Sequence, residues 1–298
     1  MRRWAIRTRR YIVCSKITKK AASVFRRIAT MVALEERDPK MPVWGDRTWF
    51  SYRSADEHAT HLLPYIKPDS RIIDVGCGTG SITLDLARRA PQGFVLGIDY
   101  SEDSIQIARA EAQRQNIPNI EFLQADATNL SHLSTTYPPF DISHSHQVLV
   151  HLSNPASVLA SISNLLKPTG ILSTRDNHAF FTHPTSPANE RDWELYRIWS
   201  RKRGAHPDAG FRNPGWMHEA GFPWEKIKFG SAAWEAPRAE KKTFARNARN
   251  SFLPVYGVQA EDGDREWLRE LEEFWEDWER DPGSRFVGVD GWVIGFKE

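Results

Sequence analysis

Apolar residues fall into two spacings along this chain, and the alternation between them lays out its architecture. Short apolar runs recur at Arg71-Ile72-Ile73-Asp74-Val75, Phe94-Val95-Leu96-Gly97-Ile98-Asp99, Ile120-Glu121-Phe122-Leu123-Gln124, Phe140-Asp141-Ile142-Ser143-His144-Ser145-His146 and Gly170-Ile171-Leu172-Ser173-Thr174. Such runs suit strands buried on both faces of a parallel sheet. Helical spacing intervenes. Ser81–Arg88 follows the first run, and Ser101 caps a helix whose first turn carries Glu102 and Asp103, where the helix dipole favours acids. Asn154-Pro155 opens another, with Asn as cap and Pro at the first helical position. Strands separated by helices predict a doubly wound α/β fold with helices on both faces of the sheet.

The flanks read differently. Upstream, Ser54-Ala55-Asp56-Glu57 is a capping box predicting a helix through about Tyr65, closed by Pro64 and Pro68. Downstream, residues 176–222 form a long insertion with helices over Glu190–Arg203 and from Asn213-Pro214 to Gly221. Trp224–Trp234 and Asp290–Phe296 read as two further strands. Between them lie a basic stretch, Arg238–Arg249, and an acidic helix, Asp264–Arg280, with Trp267, Leu271, Phe274, Trp275 and Trp278 on one face. That face is expected to pack on the sheet, leaving Glu270, Glu272, Glu273, Glu276 and Asp277 solvated.

Composition narrows the class. At 298 residues, 40% hydrophobic and 26% charged, the chain is an ordinary globular protein. No apolar run approaches the roughly 18 residues of a membrane span. Cys14 and Cys77 are the two cysteines. They make neither a disulfide framework nor a metal motif, which predicts a reducing compartment and no metal.

The net charge of +2 hides an asymmetry, because residues 1–30 hold ten Lys/Arg and no acid, leaving 30 basic against 38 acidic groups elsewhere. Residues 1–34 therefore read as a basic extension and 35–298 as the folded domain. The extension has several readings: a disordered tail, a gene start that belongs at Met31, a mitochondrial transit peptide, or a handle for anionic lipid or nucleic acid. A cytoplasmic location is expected, with the mitochondrion as the alternative.

The candidate chemistry sits where the first strand ends. Gly76-Cys77-Gly78-Thr79-Gly80 is GxGxG, whereas a dinucleotide loop would read GxGxxG. Asp99 ends the second strand 19 residues beyond Gly80, where an acid can accept hydrogen bonds from both ribose hydroxyls. Asp126 ends the third strand. Acids at the carboxyl ends of three successive strands (Asp74, Asp99 and Asp126) point to a cofactor site rather than to core packing.

Together with Ile73–Thr83, Phe140–Leu149 and Leu165–Leu172, these residues resemble class I S-adenosylmethionine-dependent methyltransferases of the ubiquinone/menaquinone type. Arg175-Asp176, Gly204-Ala205-His206-Pro207 and Trp216…Ala220-Gly221-Phe222 resemble small-molecule methyltransferases of fungal natural-product pathways. The resemblance implies a Rossmann-like, seven-stranded, mostly parallel sheet, with a cofactor half at about 54–175 and a helical acceptor lid at about 176–222. It implies S-adenosylmethionine as cofactor, held by Asp74, Gly76, Cys77, Gly78, Gly80, Asp99, Tyr100, Asp126, Ala127 and His144. Thr169 departs from the family by replacing a frequent glycine, an exchange expected to matter little in a surface turn.

Methyl transfer from a sulfonium is an in-line displacement, so alignment is the first task and no metal is needed. His146, ending the fourth strand, is the candidate general base, with His144, His151 and His178 as weaker ones. Period-two alternation puts His144 and His146 on one face. Phe180, Phe181, Trp193 and Tyr196 suit a flat aromatic acceptor, although aromatics on a helix face also build cores. The expected partner is a small-molecule acceptor, with no nucleic acid; Tyr137-Pro138-Pro139-Phe140 precedes the fourth strand and lacks the Asn or Asp of an amino-methylating motif. The alternatives are a mitochondrial quinone C-methyltransferase, an RNA or protein methyltransferase, and a methyltransferase-like fold acting as a non-catalytic partner. Oligomeric state is not readable.

Overall fold

The computed structural model describes residues 51–255 and 262–298. The expectations for residues 1–34 lie outside these. The elements are, in order, α1 (Ala55–His58), β1 (Arg71–Val75), α2 (Ser81–Arg89), β2 (Phe94–Asp99), α3 (Glu102–Arg114), β3 (Ile120–Gln124) and α4 (Leu133–Thr136). They continue with β4 (Phe140–His146), α5 (Pro155–Ser163), β5 (Leu166–His183), α6 (Pro187–Lys202), α7 (Ala209–Glu219), β6 (Ile227–Glu235), α8 (Lys241–Val255), α9 (Asp262–Arg280) and β7 (Arg285–Phe296).

The strands form one seven-stranded sheet ordered β3-β2-β1-β4-β5-β7-β6. β3, β2, β1, β4 and β5 pair in parallel. β7 alone runs against its neighbours, antiparallel to both β5 and β6. The architecture is the Rossmann-like one expected. Order reverses between β1 and β4, and ligands of open α/β sheets bind at such a reversal, beyond the carboxyl ends of the strands.

Alternation along the strands divides the core. Ile73, Val75, Leu96 and Ile98 face α5 and α7, packing with Val158, Leu159, Ile162, Trp216 and Met217. Ile72, Val95 and Ile142 face the other way, onto Ala55, Leu62, Ile82 and Leu86 from α1, α2 and the turn between them. Each such side chain contributes about 1.5–3 kcal/mol when fully buried. Caps fix the helix starts: Ser101 and Asn154 accept from Ser104 N and Ser157 N, as expected.

Several elements differ from the sequence expectation. α1 stops at His58, with a separate 3-10 turn at Leu63–Tyr65. The Glu57 carbonyl is taken by Arg175 Nη1 at 2.7 Å and Thr60 Oγ1 at 3.4 Å, and Pro64 has no N–H to continue the ladder. β5 runs on to His183 because β7, beginning at Arg285, pairs with it throughout, so the insertion begins as strand and its helices follow. α7 starts at Ala209 and holds Pro214 inside it, rather than starting there. α9 packs on α8 and α6 as well as on the end of the sheet, where Trp278 Nε1 donates to His183 O of β5 at 3.1 Å. Its expected apolar face is the buried one: Trp267, Leu271, Trp275 and Trp278 join Phe244, Trp234 and Phe286 in a second, aromatic core.

Thr169 also differs. Its φ of 64° lies in the left-handed region that favours glycine, so the exchange carries a backbone cost of about 1–2 kcal/mol.

Candidate active site

The glycine loop turns sharply off β1. Gly76 has φ 72°, and a Cβ there would stand 2.3 Å from Val148 Cγ2, so Val148, two residues past β4, packs directly against the loop. Gly78 has φ 55° and nothing within 4 Å of where a Cβ would stand, an open face on the loop. Gly80 N closes the turn on Cys77 O at 3.0 Å. Cys77 turns its thiol inward, where burial, and then Asp74 and Asp99, push its pKa up. Its backbone is bonded within the protein too, Cys77 N donating to Ile98 O at 2.9 Å.

Asp99 is fixed by two backbone donors, Gly78 N to Oδ2 and Ser101 N to Oδ1, both at 2.9 Å. This ties the end of β2 to the loop and fixes the carboxylate at the strand end. Beside it Tyr100 is 47% exposed. Asp126 is exposed at the end of β3, its Oδ1 accepting from Thr128 N at 2.8 Å and Thr128 Oγ1 at 2.7 Å, with Ala127 half-buried next to it. Gly76, Gly78, Asp99, Tyr100, Asp126 and Ala127 are thus all at the carboxyl ends of β1, β2 and β3.

Asp74 and His144 are set differently from what the sequence suggests. Both are buried, His144 without accessible surface, and they bond to each other at 2.8 Å, Nδ1 to Oδ1. Asp74 Oδ2 also accepts from Thr83 Oγ1 at 2.6 Å. His144 Nε2 is buried without a partner among the described residues, while Nδ1 is committed to Asp74. The pair lies behind the loop and ties β1 to β4 and α2.

His146 shares a face with His144, as alternation requires, and on that face the sheet carries a run of buried polar groups under α1. Arg53 Nη1 donates to His146 Nδ1 at 3.2 Å, and Nη2 donates to Gln147 Oε1 at 2.5 Å. His146 Nε2 faces Asp290 Oδ2 at 3.7 Å, beyond hydrogen-bond distance. Asp290 in turn accepts from Arg175 Nε at 2.9 Å. Burial, and then Arg53, hold His146 well below 6.5, so the ring is neutral with its proton on Nε2. Although burial opposes it, Asp290 is kept ionised by His146 and Arg175. His58 and His61 on the same face are lowered to about 3, chiefly by burial. As a base, His146 would first have to release Arg53.

The weaker candidates are apart. His151 lies in a turn after β4 and is lowered to about 4 by burial and Arg53. His178 stacks on Phe211 at 3.9 Å and meets Ser231 Oγ at 3.0 Å. Phe180 and Trp193 stack into the aromatic core with Phe286 and Trp234, Tyr196 packs edge-on against Trp193, and Phe181 is 57% exposed.

Arg53, Gln147, Arg175 and Asp290 were not assigned roles from sequence. A charged residue inside an apolar strand signals Arg175 and Asp290, since such groups are buried only when paired. Nothing local signals Arg53. Gln147 shows only in the backbone, with φ 54° for a residue bearing a Cβ. Its Nε2 is buried without a partner among the described residues. Leaving a buried donor unmade costs about 1–3 kcal/mol, which marks a place where a ligand is expected.

The open face at Gly78, the fixed Asp99 carboxylate and the orphaned Gln147 donor fit a nucleoside bearing a polar tail. Comparison with known proteins points the same way. Residues 66–203 match the model of a methyltransferase domain. An uncharacterised methyltransferase of Schizosaccharomyces pombe is 26% identical over 260 residues, 83% of this chain and 92% of that one. A probable methyltransferase, ltbC, of Aspergillus luteorubrus is 33% identical over 153 residues, 49% of this chain and 52% of that one. A ubiquinone biosynthesis O-methyltransferase of Acinetobacter baylyi is 32% identical over 127 residues, 43% and 47% of the two chains. The chain thus spans nearly all of the first relative and about half the length of the other two. The matched residues contain the loop, all three strand-end acids and His146, and residues 66–203 are a methyltransferase domain.

Proposed function

We propose that this enzyme methylates a small, flat, largely apolar acceptor, of the aromatic or polyketide-like kind made in secondary metabolism. The observation that carries this reading is the aromatic wall above the carboxyl ends of β4 and β5. Tyr52 meets His58 edge-on at 6.0 Å, His58 lies 6.2 Å from Trp234, and Trp234 meets Phe180 at 6.2 Å. His58 and Trp234 are buried in it, and its half-buried members, Tyr52 and Phe180, are the ones that would meet a planar ring by stacking and edge contacts. The ubiquinone biosynthesis O-methyltransferase among the relatives supports a quinone precursor as the second reading.

S-adenosylmethionine, when bound, supplies a methyl group on a sulfonium, whose thioether departs without a metal. The chain's residues do the rest. Asp99 and the glycine loop hold the nucleoside, Asp126 and Ala127 flank its base, and Asp74 with His144 braces the loop from behind. In this proposal His146 is a positioning residue instead of the expected general base, because its Nδ1 is bonded to Arg53 and its ring is neutral and buried. Helix α6 forms the acceptor lid, while α7 packs on the sheet as part of the core. Alignment then supplies most of the rate, as in other reactions where two partners are held in attack geometry.

The test is a screen of phenols, hydroquinones and polyketide-like enols with methyl-labelled donor, read as label in the extracted small molecule. Methylation of planar oxygen or carbon acceptors is expected. Label appearing only in added protein or RNA would contradict the proposal.

A further inference from the structure

Arg53 leaves the amide of Gln147 a single orientation. A guanidinium carries donors only, so the amide oxygen faces Nη2 and the Nε2 donor faces away from it. The backbone is committed as well: Gln147 N donates to Arg175 O at 2.7 Å while φ sits at 54°, a conformation that residues with a Cβ rarely adopt. Gln147 is one residue past the end of β4. The pairing Val75↔Ser145 sets it level with Cys77, at the reversal between β1 and β4. Its neighbour Val148 packs on Gly76. The segment that brings Arg53 also reaches the loop, with Ser51 Oγ 3.3 Å from Thr79 Oγ1. Gln147 Nε2 has no partner among the described residues.

We propose that Gln147, oriented by Arg53, holds the carboxylate of the aminoacyl tail of the methyl donor. The proposal rests on the donor reading of the glycine loop and adds the groups that recognise the tail's charged end. Gln147 Nε2 and the Arg53 guanidinium offer only N–H donors there, which suits a carboxylate and excludes an ammonium group as partner. Gln147 is then the binding residue. Arg53 is a positioning residue, and His146, facing Asp290 across the sheet, steadies Arg53 through its Nδ1.

The experiment compares two ligands by calorimetry: S-adenosylhomocysteine, which has the tail, and 5′-methylthioadenosine, which lacks it. Gln147→Glu keeps the size and the Arg53 contact but replaces the outward donor with an acceptor. It should weaken S-adenosylhomocysteine by about 10- to 100-fold, the range of a hydrogen bond to a charged group, and leave methylthioadenosine unchanged. Gln147→Gly removes the amide and relaxes the left-handed backbone. It should show the same selective loss with a thermal midpoint no lower than that of the natural chain. Equal weakening of both ligands, or unchanged S-adenosylhomocysteine affinity in both variants, overturns the proposal. If the unmodified protein binds neither ligand, the donor reading itself falls, and the proposal with it.

Discussion

The donor half and the acceptor half of this enzyme are built by different physics. Around β1–β3 the site consists of backbone: glycines at positive φ, capped helix starts, and an Asp99 carboxylate fixed by two backbone N–H groups. Around the far ends of β5, β6 and β7 it consists of side chains from distant segments, with Trp275, Trp278, Phe244 and Phe286 closed on one another. The first arrangement is dictated within about thirty residues of sequence, as a strand–loop–helix unit usually is. The second depends on which helices meet. If the acceptor lies against the second region, as proposed, a fixed donor site beside an independently packed aromatic core lets the acceptor change while the cofactor stays.

The largest effect should come from breaking the aromatic core alone. Trp275 has no accessible surface, and Trp275→Ala is expected to cost roughly 3–5 kcal/mol of stability. If the halves are as separate as proposed, S-adenosylhomocysteine affinity measured below the melting transition will stay within about twofold, a negligible free energy. A matching loss of donor affinity would mean that the halves are one energetic unit.

That contrast also explains what could be read from the sequence. Arg71–Val75, Phe94–Asp99, Ile120–Gln124 and Phe140–His146 are strands with the expected bounds, because apolar runs and caps act locally. β5 was expected to end near Thr174 and instead continues to His183, since the reason lies in β7, more than a hundred residues away. The site follows the same rule. The loop glycines, Asp99 and Asp126 are legible from spacing, whereas Arg53, Gln147 and Asp290 come together only through the sheet. Asp74 and His144 were legible as a constellation, but their position behind the loop was not, because spacing alone does not say which side of a strand end carries the ligand.

A smaller effect sharpens the comparison through pH. His58 and His61, held to about 3, stay neutral in the fold, while in the unfolded chain they take up protons below about 6.5. Stability should therefore fall as pH drops from about 6.5 toward 3. Asp176, on the opposite face beside Asn213, is raised to about 7, mainly by burial. It binds its proton in the fold while the unfolded carboxyl stays ionised down to about 4, so it adds stability as pH falls through 7. Each group changes the slope by at most about 1.4 kcal/mol per pH unit. Asp176→Asn should steepen the loss of thermal midpoint between about pH 7 and pH 5. An unchanged slope would mean that this carboxyl titrates normally.

The central claim, that GxGxG with Asp99 makes a donor site for S-adenosylmethionine and not for a dinucleotide, is tested most directly by calorimetric titration of the natural chain and Asp99→Ala. The account predicts that the natural chain binds S-adenosylmethionine and not NAD, and that Asp99→Ala weakens the former about 10- to 100-fold through loss of charge-assisted hydrogen bonds. Binding of NAD without S-adenosylmethionine, or an Asp99→Ala chain with full donor affinity, would contradict it.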